Sequence, residues 1–183
     1  MPLEPWKTLR TRLLLDRSPW LRLLADDVQL PDGRVVNDYL RLESPDYVVI
    51  VPVDESARIG LIRSYKRGPD RIDLQPPAGL LEPGETVQAA AERELREEAG
   101  CVAATWTDLG AYVVGGNLGG GWAHLFLASG CRPAGPPDSG DLEEQEIVWV
   151  SVEDARRLYL NAQAFGQLST VAAIGLALAR LPG

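Results

Sequence analysis

Residues 76–101 read PPAGLLEPGETVQAAAERELREEAGC, and the order of residue types in this stretch determines what the rest of the chain must build around. Pro76, Pro77, Gly79, Pro83 and Gly84 punctuate its start, so the segment from Leu74 to Gly84 is predicted to be a loop. A helix from Val87 to Ala99 follows: Thr86 is placed to cap it, its first turns are alanine-rich, and Gly100 stands where a C-terminal glycine belongs. At about 100° per residue from Val87, Ala91 falls near ~40°, Leu95 near ~80° and Ala99 near ~120°, which defines the face turned to the core. On the same scale Glu98 lies near ~20°, Glu94 near ~340° and Glu97 near ~280°, flanking that face, while Arg96 at about 180° points to water. A solvated run of charge would sit opposite the apolar stripe. Like charges four residues apart cost an isolated helix roughly 0.2–0.5 kcal/mol, and partial burial adds a desolvation cost. Such a helix calls for a cation. With oxygen donors only and no histidine or cysteine on the helix, the cation selected is a hard ion, Mg²⁺ or Mn²⁺, which keeps several waters and can still bind a phosphate oxygen.

Before this stretch, from Trp6 to Arg63, runs of Val, Leu, Ile and Tyr are broken by turn chemistry at Pro31-Asp32-Gly33 and Asp54-Glu55-Ser56, the pattern of two hairpins. Val48-Val49-Ile50-Val51 is apolar and β-branched throughout, as in a strand covered on both faces, and Ile59-Gly60-Leu61-Ile62 is its expected partner. After the helix, strands are predicted at Trp106–Val114, Trp122–Ser129 and Glu146–Val150, then helices at Val152–Leu160 and from about Ala164 to Arg180. The stretch from Arg132 to Asp141, with three prolines and two glycines, reads as a long loop of the kind that carries function.

The whole chain has 183 residues, 45% hydrophobic and 24% charged, which excludes disordered, collagen-like and coiled-coil classes. Its formal charge of -8 repels nucleic-acid backbones and anionic membranes, so something other than net charge must neutralise any phosphate ligand, and a divalent cation is the obvious candidate. The N-terminal residues lack secretory character, because Lys7, Arg10, Arg12, Asp16 and Arg17 interrupt every apolar run. The most apolar segment, Val171–Ala179, is far short of the ~20 residues a membrane span needs. Cys101 and Cys131 are read as buried free thiols, and with so few cysteines the expected compartment is the cytoplasm. His124, the only histidine, is read as structural in preference to catalytic. Trp20, Trp106 and Trp122 are read as core or interface residues, any of which could stack on a purine. Gly115–Gly121 lacks a P-loop lysine and reads as a hairpin.

Gly79, Glu85, Arg93, Glu94, Leu95, Glu97, Glu98, Gly100 and Cys101 satisfy G-x5-E-x7-R-E-U-x-E-E-x-G-U, with U a bulky or aliphatic residue, and by this signature the chain resembles the Nudix hydrolases. The resemblance implies an α+β fold, an α/β/α sandwich with a mixed β-sheet and an added N-terminal β extension of roughly five strands. Residues 1–45 would form the extension and 46–183 the hydrolase domain. It also implies a reaction: hydrolysis of the pyrophosphate bond of a nucleoside diphosphate derivative, assisted by divalent metal. On that analogy Glu94 and Glu98 are metal ligands and Glu97 is a further ligand or positions water. The Ala78 carbonyl is a backbone ligand, and Arg93 orients the carboxylates with Glu85 as its ionic partner.

The Pro76-Pro77-Ala78-Gly79 lead-in, the extension and a glutamate-bearing late loop resemble the ADP-ribose pyrophosphatases and their sugar-nucleotide relatives. In these the extension exchanges between two subunits, so a homodimer is implied. A late-loop glutamate serves as general base, here matched by Glu143, with Glu144 and Glu146 in reserve. Relatives carry a proline-glycine turn followed by an acidic residue where this chain has Gly115–Trp122, and Gln-Tyr-Arg where it has Ser64-Tyr65-Lys66. Arg63, Lys66 and Arg67 form, with Arg71, the densest basic cluster and are candidates for touching substrate phosphate, an ordinary solvated loop being the other reading. The expected substrate is ADP-ribose, giving AMP and ribose 5-phosphate. The alternatives are GDP-mannose or another sugar nucleotide, NADH, a nucleoside triphosphate, or a non-catalytic domain that senses a nucleotide sugar.

Overall fold

Three strands precede Asp46 in the computed structural model, which describes residues 3–138, 140 and 144–182: β1 (Lys7–Arg17), β2 (Leu21–Gln29) and β3 (Val35–Glu43). The extension therefore holds three strands before Asp46, fewer than the roughly five the resemblance implies. Two compact units are present. One comprises the chain up to Asp46 with Val113–Trp122, the other Tyr47–Tyr112 with the chain from Ala123 onward.

In the first unit β1 runs antiparallel to β2 from Lys7↔Gln29 to Arg17↔Leu21, and β2 runs antiparallel to β3 across the expected turn at Pro31–Gly33. Leu9, Leu13, Leu14 and Leu15 on β1 are all exposed, as are Trp6 and Trp20. The polar centre of this unit is Asp26 on β2. It accepts from Arg41 Nε at 2.7 Å and from Thr11 Oγ1 at 2.6 Å, and its side chain is 6% exposed. The Arg41 guanidinium holds the Asp26 carboxyl below the usual range against the opposing effect of burial, with Thr11 adding to the downward shift. A carboxyl so depressed contributes stability in full above its unfolded pKa of about 3.9, and that contribution is lost as pH falls through the folded value. Wild type should therefore lose melting temperature steeply below about pH 4, whereas Asp26→Asn, already less stable at neutral pH by about 1–3 kcal/mol, should show a flatter acid limb. Calorimetric melts across the acid range check this; parallel curves for the two proteins would refute it.

The second unit holds β4 (Tyr47–Asp54), β5 (Arg58–Lys66), β6 (Arg71–Gln75), β7 (Ala78–Leu80), α1 (Val87–Ala99), β8 (Cys101–Val102), most of β9 (Thr105–Gly115) and β10 (Gly119–Pro133), β11 (Gln145–Ser151), α2 (Val152–Leu160) and α3 (Leu168–Leu178). Its sheet is mixed: β10 is parallel to β4 from Ala123↔Tyr47 onward, while β5 is antiparallel both to β4, at Val53↔Ile59, and to β11. Strand alternation explains the layers. Val49, Val51 and Val53 of β4 pack with Ala173, Ile174, Ala177 and Leu178 of α3 and Ala155 of α2. Val48 and Ile50 pack with Ala90, Ala91, Leu95 and Ala99 of α1. The unit is thus an α/β/α sandwich, and the fold is α+β as the resemblance implies. Cys101 and Cys131 are both buried in the α1 layer as free thiols. Burial pushes the Cys101 thiol up, and carries Cys131 up to about 12, so both stay protonated and inert. Among the described residues no helix is long and apolar enough to cross a membrane.

The strand predicted at Trp122–Ser129 is longer, β10 taking in Gly119–Pro133 and so the start of the predicted Arg132–Asp141 loop, and two further boundaries differ from the sequence reading. The predicted loop at Leu74–Gly84 contains the end of β6 and all of β7. The last helix begins at Leu168, because Gln167 is extended at φ -120°, ψ 131°, just after Gly166, whose N–H is held by the buried Asp73 carboxylate at 2.9 Å.

Candidate active site

The geometry of the site begins with the three residues of β7. Ile50 N–H donates to the Pro77 carbonyl at 2.8 Å, and pairs in an antiparallel ladder alternate, so the next pair, Val49↔Ala78, is a non-bonded one. The N–H and C=O of Ala78 therefore both face away from β4, and so do those of Leu80 two residues on. What they meet is α1. Ala78 N–H donates to Glu98 Oε2 at 2.7 Å, and the Leu80 carbonyl accepts from Arg93 Nη2 at 3.0 Å. Between them Gly79 faces the helix so closely that an added Cβ would lie 1.9 Å from Glu94 Oε1. A side chain there would push the Glu94 carboxylate out of its place, which is the physical reason for glycine at the first position of the box.

α1 spans Val87–Ala99 as the sequence predicts, with Thr86 Oγ1 accepting from Ala89 N–H and Gly100 ending it at φ +62°. Its wheel is also as predicted: Glu94 and Glu98 are buried at 8% and 5% exposure, Glu97 is half-buried, and Arg96 is exposed. Arg93 organises the acids. Its Nε and Nη2 grip Glu85 Oε1 and Oε2 at 3.0 Å each, and Nη1 donates to Glu94 Oε1 at 2.6 Å and Glu97 Oε2 at 3.0 Å. With the bond to Leu80, all five guanidinium hydrogens are used. The pairing raises the Arg93 pKa, Glu85 being the largest cause, and lowers that of Glu85.

Glu85, Glu94, Glu97 and Glu98 set four carboxylates against this single guanidinium, and Glu98 is bonded to the backbone of β7 instead of to Arg93. Among the described residues no three acidic, histidine or cysteine side chains are gathered round one point as a finished metal cage, since Arg93 lies between Glu94 and Glu97. The donor chemistry fits a hard divalent ion nonetheless: all donors are oxygen, two carboxylates are buried, the cluster is net negative, and the Ala78 carbonyl faces the same edge as Glu98.

The other sequence candidates fall at three places. Lys66, at the end of β5, lines a cleft of about 260 Å³ together with Ala78, Gly79 and Leu80. Arg63 lies in a separate depression with Glu144, Gln145 and Glu146, and pairs with Glu146 at 3.5 Å. Arg67 is exposed and bonded to Asp70, away from both. Glu143 lies outside the described residues. The loop leading towards it is tied to the end of α1, with Ala134 N–H on the Gly100 carbonyl at 2.7 Å and Asp138 N–H on the Glu97 carbonyl at 2.8 Å. Sequence reading missed Asp73, Gln75, Gln167 and Thr170. Asp73 and Gln75 contact partners more than ninety residues away, so no local signal announces them.

Comparison with known proteins agrees with this arrangement. The family model of the NUDIX domain matches residues 44–170, and that of the nucleoside diphosphate sugar hydrolase N-terminal domain matches residues 6–39. An ADP-ribose pyrophosphatase of Mycobacterium tuberculosis is 30% identical over 80% of this chain and 72% of its own length. One from Bacillus subtilis is 28% identical over 78% and 77%. The crystal structure of an ADP compounds hydrolase superposes with a TM-score of 0.79 at 25% identity, covering 96% of this chain and 94% of that one. With the box complete, its glycine forced by Glu94 and its arginine saturated by the acids, and with the domain match spanning over half of the chain, this protein belongs to the Nudix family of hydrolases.

Proposed function

We propose that this Nudix hydrolase splits the pyrophosphate bond of a nucleoside diphosphate sugar, ADP-ribose first among them, to give AMP and ribose 5-phosphate. The observation that carries the reading is the row of buried acids on α1 laid along the free edge of β7, in a chain whose N-terminal residues match the nucleoside diphosphate sugar hydrolase extension. Glu94, Glu97, Glu98 and the Ala78 carbonyl would hold Mg²⁺ or Mn²⁺. Such ions, when bound, neutralise the diphosphate, lower the pKa of a coordinated water and stabilise charge at phosphorus. Arg93 keeps Glu94 and Glu97 aimed, Ala78 N–H holds Glu98, and Glu85 fixes Arg93 from its other edge. Glu143 is the candidate general base, with Glu144 and Glu146 in reserve; the engagement of Glu146 with Arg63 favours the other two. The exposed leucines of β1, an edge strand paired among the described residues only with β2, support a homodimer in which a second copy covers them. Buried thiols that stay reduced suit the cytoplasm.

A substrate panel with excess Mg²⁺ tests the reading. Nucleoside monophosphate release should be fastest from ADP-ribose and slower from GDP-mannose, NADH and nucleoside triphosphates. Folded protein inert towards the whole panel would refute a hydrolase of this class, and triphosphates preferred over ADP-ribose would refute the substrate. Light scattering of the purified protein reads the dimer directly.

A further inference from the structure

β10 does not hand the chain straight to the late loop. The ladder between β8 and β10 ends at Cys101↔Pro133, and residues 134–138 then keep to the C-terminal end of α1. Ala134 N–H donates to the Gly100 carbonyl at 2.7 Å, and Asp138 N–H donates to the Glu97 carbonyl at 2.8 Å. Because α1 stops at Gly100, the Glu97 carbonyl is one of those that the helix itself leaves without an N–H. A segment far along the chain supplies it. Between the two bonds stand Gly135, Pro136 and Pro137, and the prolines carry no N–H and hold φ near about -65°, so the span is stiff as well as tied. It is also closely packed. A Cβ on Gly100 would lie 2.4 Å from the Gly135 carbonyl oxygen and 3.2 Å from Pro137 Cδ, so Gly100 both ends α1 and admits this span against it.

The far end of the late loop is fixed too. Gln145 opens β11 opposite Ser64, and Glu146 pairs with Arg63. Residues 139–144 join these two anchored points, and they include Glu143 and Glu144, the carboxylates proposed as base. Glu143 follows Asp138 by five residues and Pro133 by ten, so the tie at Asp138 halves the length of chain through which the base could stray. The tie is made to Glu97, whose own side chain belongs to the acid row. We propose that residues 134–138 are a positioning strap: by fixing the start of the late loop to the turn of α1 that carries Glu97 and Glu98, they determine where the base stands against the acid row. A general base acts through its place on the attacking water, and a misplacement of about 1 Å costs on the order of 10²-fold. The inference rests on the reaction and the base proposed above and adds what holds that base in place.

ADP-ribose kinetics in excess Mg²⁺, arranged as a double-mutant cycle, test the strap. Asp138→Pro removes the N–H that meets Glu97, whereas Pro136→Gly combined with Pro137→Gly loosens the span and retains both N–H donors. Each should lower kcat about tenfold or more, hold KM within about twofold, and keep the rise in melting temperature that Mg²⁺ gives wild type. Asp138→Ala retains the backbone donor and should turn over like wild type. In a Glu143→Gln/Glu144→Gln background the same strap changes should cost nothing more, because no base is left to aim. Wild-type kcat in both strap variants, loss of the Mg²⁺ increment, or an equal cost in the double-glutamine background would overturn the strap while hydrolysis stands. A wild type inert towards ADP-ribose would overturn the reaction, an unimpaired Glu143→Gln/Glu144→Gln variant would overturn its base, and either would take the strap with it.

Discussion

Replacing Glu98 with glutamine should reduce ADP-ribose turnover by about 10³-fold or more and leave the metal-free protein at least as stable as wild type. The size of the loss follows from the role proposed for Glu98. A divalent ion contributes several kcal/mol of transition-state stabilisation, each 1.36 kcal/mol is a factor of ten, and glutamine is a poor ligand for a hard cation. The stability follows from the local geometry. Glu98 Oε2 accepts from Ala78 N–H, and a glutamine carbonyl oxygen can accept the same bond, so the link between α1 and β7 survives. What disappears is one negative charge, 5% exposed, beside three carboxylates that already share the Arg93 guanidinium. Melting in EDTA should therefore give a temperature equal to or above that of wild type, while Mg²⁺ should stabilise wild type and leave Glu98→Gln nearly unmoved. A variant that unfolds early in EDTA would make Glu98 a structural residue. One that retains turnover would remove the acid row from the chemistry.

The acid row was legible from the sequence because its signals are local. Thr86, the alanines and Gly100 set the ends of α1, and counting in steps of about 100° put Glu94 and Glu98 beside Leu95 without knowledge of anything else in the chain. β7 was not legible, because Pro76, Pro77 and Gly79 read as breakers. In the fold they are compatible with a ladder: Pro77 supplies only its carbonyl to Ile50, and Gly79 is required by the approach of Glu94. The start of α3 was misjudged for a related reason. Ala164-Phe165-Gly166 continues an apolar pattern, but Asp73, from a distant strand, holds the Gly166 N–H, and the extended Gln167 that follows puts the helix start at Leu168. The cleft behind β7 draws its residues from β4, β5, β6, β7 and α3 and exists only once register is fixed, so no spacing in the sequence could have announced Thr170 or the Gln75–Gln167 pair.

Arg93 is the residue whose loss should cost the fold most. Its five hydrogens reach Glu85 twice, Glu94, Glu97 and the Leu80 carbonyl, so it joins the loop before α1, the helix itself and β7. Methionine at this position keeps some of the apolar stem and removes the cation that Glu85, Glu94 and Glu97 share. Breaking a buried ion pair by deleting one partner costs about 3–5 kcal/mol. The Arg93 side chain is 23% exposed, so water screens part of that, and about 2–4 kcal/mol is the expected loss. For a chain of this length that lowers the melting temperature in EDTA by about 5–15 °C. Lysine should recover part of it, since three donors on a point charge cannot reproduce a fork that engages both oxygens of Glu85 and two further carboxylates. Mg²⁺ separates this account from simple loss of packing. If the acids are held against mutual repulsion by Arg93, divalent ions should raise the melting temperature of Arg93→Met by more than they raise that of wild type, because they replace a charge that wild type already has. Turnover should nonetheless stay about 10- to 100-fold low, as Glu94 and Glu97 lose the group that aims them. Equal increments from Mg²⁺ in the two proteins would show that the five-bonded guanidinium holds the loop and not the charges.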